Sequence, residues 1–97
     1  MEKYIEIYKQ LIEKYGKNAQ VIQTIEEMSE LEKELIKNIN RNKENRTDII
    51  LEMADVQIML MQLCLIYNVS EDEMLGAIEY KMEKVKKNLE DKIWLII

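Results

Sequence analysis

The chain has 97 residues, 19 acids against 14 Lys or Arg, a net charge of -5, no His, one Cys, no Pro and two Gly. That length allows one domain, residues 1–97, and the missing imidazole excludes Ser-His-Asp and Cys-His nucleophile systems and His-ligated zinc, leaving carboxylates, amines and hydroxyls for chemistry. The acidic balance excludes a nucleic-acid binder working through a basic surface, and the lone Cys64 excludes an intrachain disulfide.

With 47% hydrophobic and 34% charged residues, seven Met and few turn formers, an all-α chain is expected. Residues 2 to 15 place Tyr4, Tyr8, Leu11 and Tyr15 on one stripe, a first helix that Gly16 ends as a C-cap. From Asn18, read as an N-cap, the residues Val21, Ile22, Ile25, Met28, Leu31, Leu35, Ile36 and Ile39 keep a helical period to about residue 39. The stretch NINRNKENRT, 38 to 47, has three Lys or Arg, four Asn and one apolar residue, and is expected to be an exposed connection.

Thr47 is placed to cap a third helix running to about Tyr67, with Asp48 near its positive end. Between Ile49 and Ile66 the polar residues are only Glu52, Asp55, Gln57 and Gln62, so this helix is apolar on every side. A chain this short can hardly surround such a helix, and a subunit interface along it is expected. Asn68 breaks the pattern, Ser70 and Glu73 form a capping box, and Met74, Ile78, Val85 and Leu89 make the stripe of a fourth helix. The terminal KIWLII is expected to pack on another subunit. No window approaches the roughly 18 consecutive apolar residues of a membrane span, and MEKYIEIYK is too charged for a secretory signal, so a cytoplasmic location without membrane contact is expected.

Two acid pairs stand out, Glu27 with Glu30 and Glu52 with Asp55, each spaced i, i+3 on one helix face. Spacing alone distinguishes little among 19 acids; wheel position does more. At about 100° per residue, Glu52 and Asp55 share a face with Val56, Met59, Leu63 and Ile66, where burial would demand protonation, a paired cation or a metal. Glu27 lies at the edge of the apolar arc of the second helix and Glu30 beyond it. If the second and third helices pack antiparallel, the four carboxylates converge on one oxygen-only site, which suits magnesium or manganese.

The segments IEEMSELEKEL (25 to 35) and ILEMADVQIMLMQL (50 to 63) resemble the E-x-x-E and E-x-x-D motifs of the MazG-like all-α nucleoside triphosphate pyrophosphohydrolases. The resemblance covers roughly residues 15 to 90 and implies a four-helix bundle-like MazG fold, assembled as a homo-oligomer, a dimer or tetramer. It implies magnesium-dependent hydrolysis of a nucleoside triphosphate, a deoxynucleotide by expectation, to the monophosphate and pyrophosphate. The family's metal positions carry over to Glu27, Glu30, Glu52 and Asp55. With no His present, a carboxylate must orient or deprotonate the attacking water, and Glu26, Glu27 and Glu30 are the candidates.

For the substrate, Lys81, Lys84 and Asn88 lie beside the stripe of the fourth helix, placed to neutralise phosphate charge, or equally to snorkel from a packed face. Gln20 and Gln23 share the Glu27 face and are either substrate contacts or solvated polar residues. Tyr8 and Tyr15 suit a nucleobase, but a Tyr stripe at helical spacing more often packs helices. Arg41, Lys43 and Arg46 lie in the predicted loop, where they are phosphate contacts or simple solubilising charge. The alternative to an enzyme is a non-catalytic helical oligomerisation protein whose acids are surface charge.

Overall fold

The computed structural model describes residues 2–42 and 44–91, and these are all-helical. The sequence-predicted role of KIWLII, and of Lys43 in the loop, falls outside the described residues. A single 3-10 turn at Glu2–Tyr4 leads into α1 (Ile5–Tyr15), followed by α2 (Lys17–Asn40), α3 (Arg46–Ile66) and α4 (Glu71–Glu90).

The break between α1 and α2 is one residue wide. Gly16 takes φ 93°, ψ 154°, a region that is essentially closed to residues with a Cβ. Its N–H donates to the Ile12 carbonyl at 2.8 Å and its carbonyl accepts from the Gln20 N–H at 3.2 Å, so it closes one helix and opens the next. Asn18, expected as the N-cap, therefore lies inside α2. At the far end, α2 runs to Asn40 and the chain turns through Asn42 at φ 50°.

The third helix also starts earlier than expected. Asn45, not Thr47, occupies the N-cap position of α3, where its carbonyl accepts from the Ile49 N–H at 3.0 Å. Its side chain does not cap α3. It reaches back to α2, where Nδ2 donates to the Glu34 carbonyl at 2.9 Å and to Glu34 Oε1 at 3.0 Å, and Oδ1 accepts from Asn38 Nδ2 at 3.2 Å. Past α3, Asn68 at φ 55° ends the helical path, and the predicted Ser70–Glu73 capping box opens α4: the Glu73 N–H donates to Ser70 Oγ and the Ser70 N–H to Glu73 Oε1, both at 3.1 Å.

α2 and α3 pack along their length as an antiparallel pair, with Gln20 meeting Gln62 at one end and Glu34 meeting Asn45 at the other. α1 lies against both. The backbone of α4 stays clear of the other three helices, and only its first two turns, through Met74, Leu75 and Ile78, help line an apolar groove of about 570 Å³ with Ile5 and Tyr8 of α1 and Met61 and Leu65 of α3.

Little of this is a closed core. Tyr8 and Met59 are the buried hydrophobic residues among those described, while Gln20, Thr24, Asn45 and Gln62 are buried polar ones. α3 buries only Met59 and Gln62 within the chain, so the expected all-round burial is not reached by one copy alone. The accessible surface is 8155 Å², against about 5,900 Å² for a compact monomer of 11.7 kDa. The radius of gyration is 16.4 Å, where about 12.5 Å is usual for this length. α3, at 21 residues, is long and apolar enough to cross a membrane by length and composition, although it holds no run of about 18 consecutive apolar residues. Glu52 and Asp55 interrupt the consecutive apolar run without lowering the average enough to disqualify it.

Candidate functional site

The packed α2–α3 pair brings acids together across the helix seam. Glu27 comes from the middle of α2, Glu52 and Asp55 from one face of α3, and a carboxylate oxygen of each lies within 4.8 Å of one from both others. One turn before Glu27 on α2, Gln23 Nε2 donates to Glu27 Oε1 at 2.9 Å and fixes that carboxylate. Glu27 and Glu52 are half-buried. Glu52 Oε2 is shielded from solvent and has no hydrogen-bond partner among the described residues.

Such an oxygen is costly to bury without a compensating donor or cation, because its hydration is lost and nothing replaces it. The electrostatics agree. Burial pushes the Glu27 carboxyl above the ordinary value of 4.5, the Gln23 amide partly opposes that rise, and Asp55 and then Glu30 add to it. Glu52 is pushed up too, first by burial, then by the negative charges of Asp55, Glu27, Glu30 and Glu34. Among the described residues, the charges acting on these two groups are all negative.

Three of the four motif acids thus converge. Glu30 stands outside the triad, exposed and 3.3 Å from Lys33 Nζ, but near enough to act on Glu27 and Glu52 through its charge. Asp55 is exposed, contrary to the burial its wheel position suggests, so its carboxylate keeps its hydration at the edge of the cluster. Glu26 is exposed on α2 and is not one of the clustered acids.

The predicted substrate residues are dispersed. Gln20 is 8% exposed and its Nε2 donates to Gln62 Oε1 at 2.7 Å, so its amide is turned into the helix seam. Lys81 and Lys84 are exposed on α4, which does not pack on the α2–α3 pair. Asn88 is half-buried and its Nδ2 is shielded without a partner among the described residues. Tyr8 is buried against Tyr4, with ring centroids 6.5 Å apart and tilted by 52°, as a packing residue would be, whereas Tyr15 is exposed. Arg41 and Arg46 are exposed at the α2–α3 turn.

Sequence reasoning passed over Gln62, Thr24 and Asn45, which lie in the seam on either side of the acids. A signal was available in the seven-residue spacing of Gln20, Glu27 and Glu34 on α2, which places one side chain every two turns on a single face. Comparison of the chain with protein-family models, curated proteins and solved structures finds no match.

Proposed function

We propose that the chain is a MazG-like, magnesium-dependent nucleoside triphosphate pyrophosphohydrolase that works as a cytoplasmic homo-oligomer. The observation that carries this reading is the triad of Glu27, Glu52 and Asp55, with oxygens within 4.8 Å of one another and only negative charges acting on the two glutamates among the described residues. The donor set fits the group: hard carboxylate oxygens suit magnesium or manganese, and the partnerless Glu52 Oε2 offers a lone pair with nothing else to bind.

Glu27, Glu52 and Asp55 would hold the cation, with Glu30 at the rim. When bound, magnesium supplies positive charge that offsets the triphosphate, polarises phosphate oxygens and acidifies water. The protein's own part is orientation and proton transfer. Gln23 holds Glu27 by donating from Nε2 to its Oε1 at 2.9 Å, which leaves Oε2 for another partner. A carboxylate, among Glu26, Glu27 and Glu30, accepts the proton of the attacking water. The water oxygen bonds to the α-phosphorus while the bond to the bridging oxygen breaks, and pyrophosphate leaves with the electron pair. Lys81, Lys84 and Asn88 of α4 reach the phosphates only if a second copy carries α4 to the site, which is one reason to read the active form as an oligomer.

The apolar face of α3 is read as interface and not as a membrane span. Asp55 sits near its middle, where an acid would cost about 2.5–3.5 kcal/mol in a bilayer centre, and the Glu52 and Asp55 carboxylates both lie within 4.8 Å of Glu27 on α2.

The test is product analysis of a panel of ribo- and deoxynucleoside triphosphates, each with and without magnesium. Monophosphate and pyrophosphate formed only with magnesium or manganese support the reading. Orthophosphate as first product, or no hydrolysis anywhere in the panel, overturns it and leaves the acids as charge on a non-catalytic assembly protein.

A further inference from the structure

We propose that buried side-chain amides set the register of α2 against α3, and that Gln20 and Gln62 are positioning residues that hold Glu27 opposite Glu52 and Asp55. The carboxylates are bracketed. On α2 the residues Gln20, Glu27 and Glu34 follow at intervals of seven, and in the antiparallel partner they meet Gln62, then Asp55 and Glu52, then Asn45. One amide pair, Gln20 Nε2 to Gln62 Oε1 at 2.7 Å, lies two turns to one side of Glu27. The other contact, Asn45 Nδ2 to the Glu34 carbonyl and to Glu34 Oε1, lies two turns to the other side.

Apolar packing cannot choose this register by itself, because it is non-directional. α3 makes the ambiguity acute: its outward residues Ile50, Met53 and Leu60 are as apolar as the Met59 it buries, so a rotation or a slide by one turn, about 5.4 Å, exchanges one apolar set for another. The amides break that degeneracy. Gln62 is the most buried side chain described, at 1% exposed, and its Nε2 is directed at Met59 Sδ, 3.6 Å away, so Gln20 is its one strong partner. Thr24, 3% exposed, turns its hydroxyl onto the Gln20 carbonyl and so makes no competing demand across the seam. Any other register would strand two carboxamides away from water, whereas apolar residues at both places would tolerate several registers. A single buried polar position that selects register at some cost in stability is well attested in paired helices.

The inference rests on the proposed metal site for one of its two readouts and is independent of it for the other. The variant is Gln20→Met with Gln62→Met, which keeps volume and removes both amides. Manganese binding, followed by electron paramagnetic resonance of the free ion, is expected to weaken about tenfold to a hundredfold, the usual loss when groups that orient metal ligands are removed. Helix content is expected to stay the same. Nitroxides at Asn18→Cys on α2 and Thr47→Cys on α3, in a Cys64→Ser background diluted with unlabelled chain, should give one narrow distance with the amides present and a broad or shifted one without them. An unchanged distance distribution overturns the register role, and so does a double variant that does not fold, since the amides would then supply stability in place of register. If the wild-type chain takes up no manganese, it is the proposed function that fails, and the distance measurement alone decides the register.

Discussion

Asp55 stands exposed at the rim of the acidic triad, where its charge pushes both the Glu27 and the Glu52 carboxyl up. Asp55→Asn keeps the shape and removes one repelling charge. The metal-free chain is expected to be as stable as before or more so, while hydrolysis and most of the magnesium-induced rise in melting temperature disappear. A carboxylate with a structural role gives the opposite pattern, a loss of about 1–3 kcal/mol from its stranded partners, so thermal melts with and without magnesium separate the two. The half-buried pair adds a pH dependence. Burial first, and like charge second, hold the Glu27 and Glu52 carboxyls above the ordinary 4.5. Between that value and neutrality the folded chain therefore binds more protons than the unfolded one, and their contribution to stability is full at low pH and is lost as pH rises through the raised values. The metal-free melting temperature of the wild type is expected to fall more steeply with pH over that window than that of Glu27→Gln/Glu52→Gln. Equal slopes would mean that the two carboxyls are not strained by their surroundings.

At the level of elements, local chemistry was legible in the sequence and cross-helix chemistry was not. Ser70 and Glu73 form the expected box because both partners lie within one turn, and Ser70→Ala is expected to cost about 1 kcal/mol, seen in denaturant titrations. The Gly16 stop was equally readable, and Gly16→Ala should cost about 1–3 kcal/mol through its φ of 93° alone, since an added Cβ meets no atom within 4 Å. Sequence pattern alone puts the starts of α2 and α3 two residues late, for two physical reasons. Gly16 lets the second helix begin at once, and the Asn45 side chain is taken up by α2 and so gives no local capping signal. Of the candidate site, the i, i+3 spacing puts Glu52 and Asp55 together on α3, and the antiparallel packing of α2 brings Glu27 beside them. Glu30 stays on the open face beside Lys33, its i+3 neighbour, whereas Gln20 is drawn into the seam by Gln62, forty-two positions away, a partner that one dimension does not show.

The whole chain exposes about 2,300 Å² more than a compact monomer of its mass. That surplus falls within the range of about 1,000–2,500 Å² that each partner of an obligate homodimer buries, and it has an identifiable origin. α4 has no buried residue and carries Met74, Ile78, Met82 and Leu89, between 42% and 73% exposed, along one stripe nearly the length of the helix. α3 offers Ile50, Met53 and Leu60 on the flank away from α2. Two copies that laid α4 of one against the open faces of the other would cover both surfaces at once, and the stripe is long enough to require a helix-sized partner. Light scattering at micromolar concentration is therefore expected to give a multiple of 11.7 kDa. The melting temperature should also rise with protein concentration, because assembly and folding are linked by mass action. Ile78→Glu places a charge in the middle of the stripe without touching the helix cap or the acidic triad, so it should shift the mass toward the single chain and lower the melting temperature. A wild-type chain that scatters as a monomer and melts at a concentration-independent temperature would mean that α4 and α3 stay solvated, and it would remove the route by which Lys81 and Lys84 reach the acids.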